Sequence, residues 1–304
     1  MSDEIEFDRG GTSPAGEVAR LSPLVRRLIA GNAGPMTFTG TCSYIVGRGT
    51  VAIIDPGPDD PAHLARLLDA VEGETVSHIV VTHTHRDHSP AARALKAATG
   101  APIVGCGPHR RSRELVLGEI DPLDGAYDRD HAPDLLMSEN DAVSGPGWTL
   151  VAIETPGHTA NHLAFALPEE ATLFSGDHVM AWSTSIVAPP DGSLAAYMAS
   201  IEKLRGMEHA LYRPGHGGPV QEPQRFLRGL VQHRLQREAA VLGRLSAGDE
   251  RIGEMVPAIY RNLAPALSGA AALSVLAQLE DLVLRGAVVS DQTPPALGSR
   301  YRLA

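Results

Sequence analysis

The sequence predicts a mixed α/β fold followed by a smaller helical module. Apolar, β-branched runs at residues 50–54, 76–81, 148–153, 163–167 and 171–174 have the length and bounding turns of buried strands. Helix-periodic segments stand between them, as where Leu64, Leu67, Leu68 and Val71 mark one face of residues 61–71. After Ala247-Gly248-Asp249 the texture changes to helices and a terminal hairpin. A chain of 304 residues with 43% hydrophobic content can bury one large core plus an appendix. The division expected is residues 1–221 and 222–304.

Taken in order, residues 1–20 are polar and Gly-rich and read as a loose lead-in. Residues 24–30 form a first strand, and residues 36–46 alternate as the next before Gly47-Arg48-Gly49 turns the chain. Residues 50–54 return as a buried strand and stop at Asp55-Pro56-Gly57-Pro58. Residues 61–71 are a helix, 76–81 a strand, and Pro90 opens a helix over 91–99. Residues 102–104 form another strand. From 107 to 140, charges, Pro and Gly mix without a period, as in a long loop or insertion. Strands at 148–153, 163–167 and 171–174 follow, then a helix over 194–204, a short strand at 210–212 and a long Arg-rich helix over 222–245. Residues 252–261 and 267–285 are helical, the latter as one or two helices, and 287–289 pairs with 300–303.

The net charge of −10 excludes a general polyanion binder. Cys42 and Cys106 are the only cysteines, so neither a disulfide framework nor a Cys-rich zinc site is available, and a reducing, cytoplasmic compartment fits. The acidic start lacks the apolar core of a secretory signal, and no apolar run is read as a membrane span. Lysine occurs only at 96 and 203, the bias of a GC-rich, bacterial genome.

The chemistry concentrates in Thr82-His83-Thr84-His85-Arg86-Asp87-His88-Ser89, where three histidines and one aspartate fall within six positions. The stretch joins the strand 76–81 to the helix 91–99, the end of an α/β sheet at which ligands bind. In an extended segment His83 and His85 point to one side and can grip one metal; Asp87 and His88, past the turn, can grip a second. Imidazole with carboxylate suits zinc and tolerates iron or manganese. Three later strand ends offer Gly-flanked partners: His158 in Thr155-Pro156-Gly157-His158-Thr159, Asp177 in Ser175-Gly176-Asp177, and His216 in Pro214-Gly215-His216-Gly217. His158 could complete the first metal, His216 the second, and the Asp177 carboxylate could bridge them.

In that order the motifs HxHxDH, GHT, GD and GHG resemble the signature of the metallo-β-lactamase fold over roughly residues 20–220. The resemblance implies an αββα sandwich with a dinuclear, zinc-type site at one edge, held by His83, His85, Asp87, His88, His158, Asp177 and His216. Asp55 matches the family's aspartate that orients a ligand histidine. Asp177–Thr184, Pro189-Pro190-Asp191-Gly192, the run His233–Glu238 and the winged-helix-like tail are similar to the β-lactamase-like protein 2 group. One departure is Cys42 in Gly40-Thr41-Cys42-Ser43-Tyr44, where that group carries Asn. His162, Trp182 and Ser183 are candidates for contacts behind the ligands or with substrate. His178 follows Asp177 and is expected to point away from it; His63, His78, His109, His131, His209 and His233 read as surface or packing residues.

The reaction class is metal-assisted hydrolysis: two divalent ions sharing a water would lower its pKa toward neutrality, with Asp87 binding one ion and orienting the nucleophile or taking its proton. Two substrate forms follow from the resemblance. Animal members of the group are associated with single-stranded RNA cleavage, whereas glyoxalase II-type thioesterases share the same seven ligands, so the bond is a phosphodiester or a small thioester, ester or lactone. Residues 223–304 carry ten Arg and seven Asp or Glu, a basic tail that could touch phosphates or serve as a packing or homodimer module. A true β-lactamase fits poorly, because those enzymes lack the bridging aspartate. The alternative of another class is a non-enzymatic winged-helix nucleic-acid-binding protein, which would not need all seven ligands.

Overall fold

The computed structural model describes residues 5–10, 12–116, 119, 121–261 and 263–304. Its first sheet runs, in spatial order, β1 (Val18–Arg20), β2 (Val25–Ile29), β3 (Cys42–Arg48), β4 (Thr50–Ile54), β5 (Thr75–Val81), β6 (Ile103–Gly105) and β7 (Leu135–Leu136). The β1–β4 pairings are antiparallel, and β4 to β7 pair in parallel. The parallel pairings enclose α1 (Pro61–Ala70) and α2 (Ala91–Thr99) as crossovers. The second sheet contains β8 (Ala142–Gly145), β9 (Trp148–Glu154), β10 (Leu163–Leu167), β11 (Thr172–Gly176) and β12 (Leu211–Pro214), ordered β12-β11-β10-β9-β8.

Alternation explains the layers. Leu163, Phe165 and Leu167 of β10 join the core shared with Ile45, Ile53 and Ile79 of the first sheet, whereas Ala164 and Ala166 face a second cluster. That second cluster holds Tyr197, Ile201 and Leu204 of α3 (Leu194–Arg205) and Leu227 and Leu230 of α4 (Pro223–Ser246). With Leu67 of α1 and Leu95 of α2 joining the first cluster, the result is a helix–sheet–sheet–helix sandwich. A third cluster is C-terminal: Val241 and Leu245 of α4, Met255 of α5 (Ile252–Ile259), and Leu273, Leu276 and Leu279 of α6 (Ser268–Leu284). The hairpin β13 (Val288–Ser290) and β14 (Tyr301–Leu303) closes it with Val288 and Tyr301.

Several expectations change. Residues 18–20 are not loose lead-in but an edge strand on β2. The strand expected from residue 36 begins only at Cys42, because the chain first turns, with Thr37 Oγ1 donating to the Asn32 carbonyl at 2.5 Å and Phe38 at φ 54°. The expected one or two helices over 267–285 are a single helix, α6, since no Pro or Gly interrupts it beyond its first turn. Pro265–Leu284 is also, by length and composition, apolar enough to cross a membrane, with mean hydropathy 1.4. Its burial in the C-terminal core is that of the central helix of a packed domain. Among the described residues of 107–140, regular structure is limited to a short 3-10 turn, Asp124–Ala126, and β7.

Candidate metal centre

The seven expected ligands and Asp55 all follow the carboxyl end of a strand. The His83–His88 loop follows β5, Asp55 follows β4, His158 follows β9, Asp177 follows β11 and His216 follows β12. Because β4 and β5 are parallel, and β9, β11 and β12 run the same way, these ends gather at one edge of the sandwich. Close approach requires glycine beside the ligands, as Gly215 and Gly176 illustrate. A Cβ on Gly215 would sit 2.5 Å from Asp177 Oδ1, and one on Gly176, at φ +50°, would sit 2.6 Å from His162 Nε2.

The structure brings the seven side chains together in two groups. His83 Nε2 lies 3.2 Å and His158 Nε2 3.0 Å from His85 Nδ1. Asp87 Oδ2 lies 3.1 Å from His216 Nε2 and 3.4 Å from His88 Nε2, and the two imidazoles are 3.3 Å apart. Asp177 spans the groups, its Oδ1 3.5 Å from His88 Nε2 and its Oδ2 3.3 Å from His216 Nε2 and 3.8 Å from His158 Nε2.

The outer nitrogens fix how the rings present themselves. His158 Nδ1 donates to the Ile186 carbonyl at 2.6 Å, and His216 Nδ1 to the Gly40 carbonyl at 3.3 Å. His88 Nδ1 donates to Asp55 Oδ2 at 2.9 Å, and His85 Nε2 to Asp191 Oδ2 at 3.3 Å. Thr82 Oγ1 donates to Asp55 at 2.7 Å, so it accepts from His83 Nδ1 at 2.9 Å. With each outer nitrogen carrying the proton, the inner nitrogen of every neutral ring is a bare lone pair aimed at its neighbours. Nitrogens facing one another at 3.0–3.2 Å are spaced to share a cation. Among the described residues Asp177 Oδ1 has no hydrogen-bond partner although buried, a further position a cation would satisfy. Five imidazoles and two carboxylates form a donor set that fits zinc.

The two groups are electrostatically unlike. Burial, reinforced by His85, pushes His158 down to about 4, and burial with His88 and His85 nearby holds His83 well below the usual imidazole range. Burial opposes charge on His216 and His88 too, yet Asp177 and Asp87 lift His216 to about 10, and Asp87, Asp177 and Asp55 lift His88 well above its ordinary value. Against the same desolvation, His88 and His216 keep the Asp87 carboxyl low, and His216 and His88 that of Asp177.

Asp55 lies behind the cluster and serves both groups, accepting from Thr82 N at 2.8 Å as well as from Thr82 Oγ1 and His88. It sits in the left-handed region at φ 48°, which aspartate tolerates better than most residues. His162 Nε2 accepts from the Asp177 backbone N–H at 3.2 Å while its Nδ1 donates to Thr155 Oγ1 at 2.8 Å. Trp182 lies flat on Phe38 with centroids 4.9 Å apart, and Ser183 donates to the Thr184 carbonyl; neither hydrogen-bonds a residue of the cluster. His178 turns onto Tyr197, at 4.6 Å between ring centroids.

Sequence reasoning missed Asp191, fully buried against His85, and the Ile186 carbonyl that holds His158. The Pro189-Pro190-Asp191-Gly192 turn was the one available signal for Asp191; a backbone carbonyl leaves none. His109, set aside as surface or packing, stacks on Tyr127 at 3.8 Å and lies 3.9 Å from Asp191 Oδ1.

Comparison with known proteins gives a consistent picture. Residues 36–216 match the Metallo-beta-lactamase superfamily, and residues 252–296 the Beta-lactamase associated winged helix domain. A Beta-lactamase-like protein 2 homolog of Drosophila melanogaster is 31% identical over 240 residues, covering 74% of this chain and 75% of its own. In structure, the chain is similar to a beta-lactamase domain protein from Burkholderia ambifaria (TM-score 0.79, 22% identity, 99% of this chain and 98% of that one). It is also similar to a metallo-beta-lactamase family protein from Thermus thermophilus (TM-score 0.73, 22% identity, 94% and 100%). At that identity the two structures speak to fold alone.

Proposed function

The chain belongs to the metallo-β-lactamase superfamily and carries its sandwich with an associated winged-helix domain, and from that premise we propose a hydrolase of small acyl substrates, a thioester, ester or lactone, that works with two zinc ions. His83, His85 and His158 would hold one ion and Asp87, His88 and His216 the other, with Asp177 reaching both. The observation that carries the reading is the convergence of inward nitrogens whose outer partners are all oxygens. When bound, the ions supply a water of lowered pKa and polarise the carbonyl under attack.

The protein's own groups do the rest. The Asp87 side chain is 26% exposed, against 9% for Asp177 and 3% for Asp55, so it is the carboxylate at the mouth of the site. There it is placed to orient an attacking water and accept its proton. Asp55, Asp191 and the Ile186 carbonyl orient the rings of His88, His85 and His158, so the rings need not turn to bind.

A small substrate is favoured over RNA by the state of the tail. Arg225, Arg244, Arg285 and Arg300 pair with Glu222, Asp249, Glu238 and Glu250, and Arg237 lies over Tyr260. Four of the tail's ten arginines are thus engaged by neighbouring carboxylates instead of standing free in a stripe for phosphates.

The test is turnover of thioester, ester and lactone panels by zinc-loaded protein, beside labelled single-stranded RNA, an EDTA-treated sample and Asp87→Asn. Acyl hydrolysis lost in both controls is expected. Cleavage of RNA with no acyl turnover would overturn the substrate assignment, and failure to take up zinc would overturn the metal assignment.

A further inference from the structure

We propose that residues 185–191 form a strap through which the C-terminal module positions the metal centre, with Arg234 as its anchoring residue and Asp191 as its last contact. The inference rests on reading the seven clustered side chains as metal ligands. On its inner side the strap meets three of them. Ser185 Oγ donates to the Asp177 carbonyl at 2.5 Å, the Ile186 carbonyl accepts from His158 Nδ1 at 2.6 Å, and Asp191 Oδ2 accepts from His85 Nε2 at 3.3 Å. These ligands come from three separate strand ends, and a segment of seven residues touches them all.

The strap contains no helix or strand, so it has no ladder of its own to hold it. Its outer side supplies the anchors. Arg234 of α4 donates to the Ser185 carbonyl at 2.5 Å, its guanidinium lies over the Tyr197 ring at 4.8 Å, and its own carbonyl accepts from Gln278 of α6 at 3.3 Å. Ile186 and Ala188 pack into the C-terminal core with Leu245, Met255 and Leu276. Ser112 Oγ donates to the Pro190 carbonyl at 2.8 Å, and neighbouring Arg113 pairs with Glu280 of α6 at 2.8 Å.

Arg234 is the informative residue. It is 7% exposed, and among the described residues no carboxylate pairs with it. A buried guanidinium is costly, and an apolar side chain would fill the same space at less cost. Here its charge is directed at one carbonyl of the strap, between the atoms that hold Asp177 and His158. The module thus has a task at the metal centre that requires no contact with nucleic acid.

The experiment compares full-length wild type with Arg234→Gln, Arg234→Lys, Ser185→Ala and Asp191→Ala. Folding is checked by circular dichroism and thermal unfolding of the metal-free proteins. The readouts are zinc stoichiometry, zinc affinity by chelator competition, and the ligand-field spectrum of the cobalt-substituted protein. Arg234→Gln and Asp191→Ala should weaken one zinc site by about 10–100-fold and shift the cobalt spectrum, as losing a partner behind a ligand does. Arg234→Lys should recover part of the loss, which a general packing defect would not show. Folded variants with wild-type affinities and spectra would overturn the inference. If Arg234→Gln does not fold, Ser185→Ala and Asp191→Ala decide by the same readouts. A wild type that binds no zinc would instead overturn the ligand assignment beneath it.

Discussion

His83, His85 and His158 meet imidazole against imidazole, whereas His88 and His216 meet across the carboxylates of Asp87 and Asp177. In the first pocket burial keeps His83 and His158 neutral, His158 at about 4. In the second the carboxylates outweigh the same burial and hold protons on His88 and His216, the latter up to about 10. The difference teaches that one donor type is prepared in two ways. One pocket presents bare lone pairs, and the other keeps protons where a cation would sit, which a metal must displace.

The largest test removes the cation from both pockets. Chelation of zinc-loaded protein should lower turnover by at least about a thousandfold, with recovery on adding zinc back; an unchanged rate would end the metal reading of either pocket. Next come single substitutions that separate them. His158→Ala and His216→Ala should each reduce bound zinc from two ions to one and cut turnover by about 100–1,000-fold. Loss of both ions from either change, measured by elemental analysis, would show one cooperative site instead of two pockets.

The protons give a finer test. A raised imidazole pKa stabilises the metal-free fold fully below the ordinary value of about 6.5, and that contribution is lost as pH rises through the folded value of about 10 for His216. Between those limits the metal-free protein should lose stability. Zinc affinity at the second pocket should rise there by about tenfold per pH unit for each proton displaced. His158 has the opposite sign, its contribution present above the ordinary value and lost as pH falls toward about 4. The first pocket should therefore bind zinc with little pH dependence above neutrality. Zinc titrations across this range check both halves, and equal slopes would refute the contrast.

Asp55 should sharpen the comparison from behind, since it holds His88 directly and His83 through Thr82. Asp55→Ala should weaken both ions by about 10–100-fold. A loss confined to one ion would mean that Thr82 holds His83 without its aspartate.

How much of this was legible follows from where each signal resides. The seven clustered residues and Asp55 announce themselves because they are metal-binding side-chain types set at strand ends with strong apolar runs, as at β5 and β11, with His83 to His88 crowded into one loop and His158, Asp177 and His216 each beside glycine. The strands β1, β7 and β8 were not visible, because each is short, largely exposed at a sheet end and defined by its neighbour's free edge. Leu135 and Leu136 are 53% and 59% exposed and carry no alternation to read. Asp191 lies 106 positions from His85 in a turn without period, and only the folded chain makes them neighbours. The Ile186 and Gly40 carbonyls have no side-chain signature at all.

The smallest expected effect concerns the group the two pockets share. His162 accepts the Asp177 backbone N–H, so His162→Ala leaves that buried donor unpaired, a loss of about 1–3 kcal/mol in stability. Asp177 would still be flanked by His88, His158 and His216, and Ser185 would still donate to its carbonyl. Turnover should therefore fall only several-fold, with both zinc affinities weakened alike, and His162→Gln, which keeps an acceptor, should recover most of it. Chemical unfolding and zinc competition on the two variants measure each part. A weakening confined to the pocket of His88 and His216 would assign Asp177 to that pocket alone and make the two pockets independent.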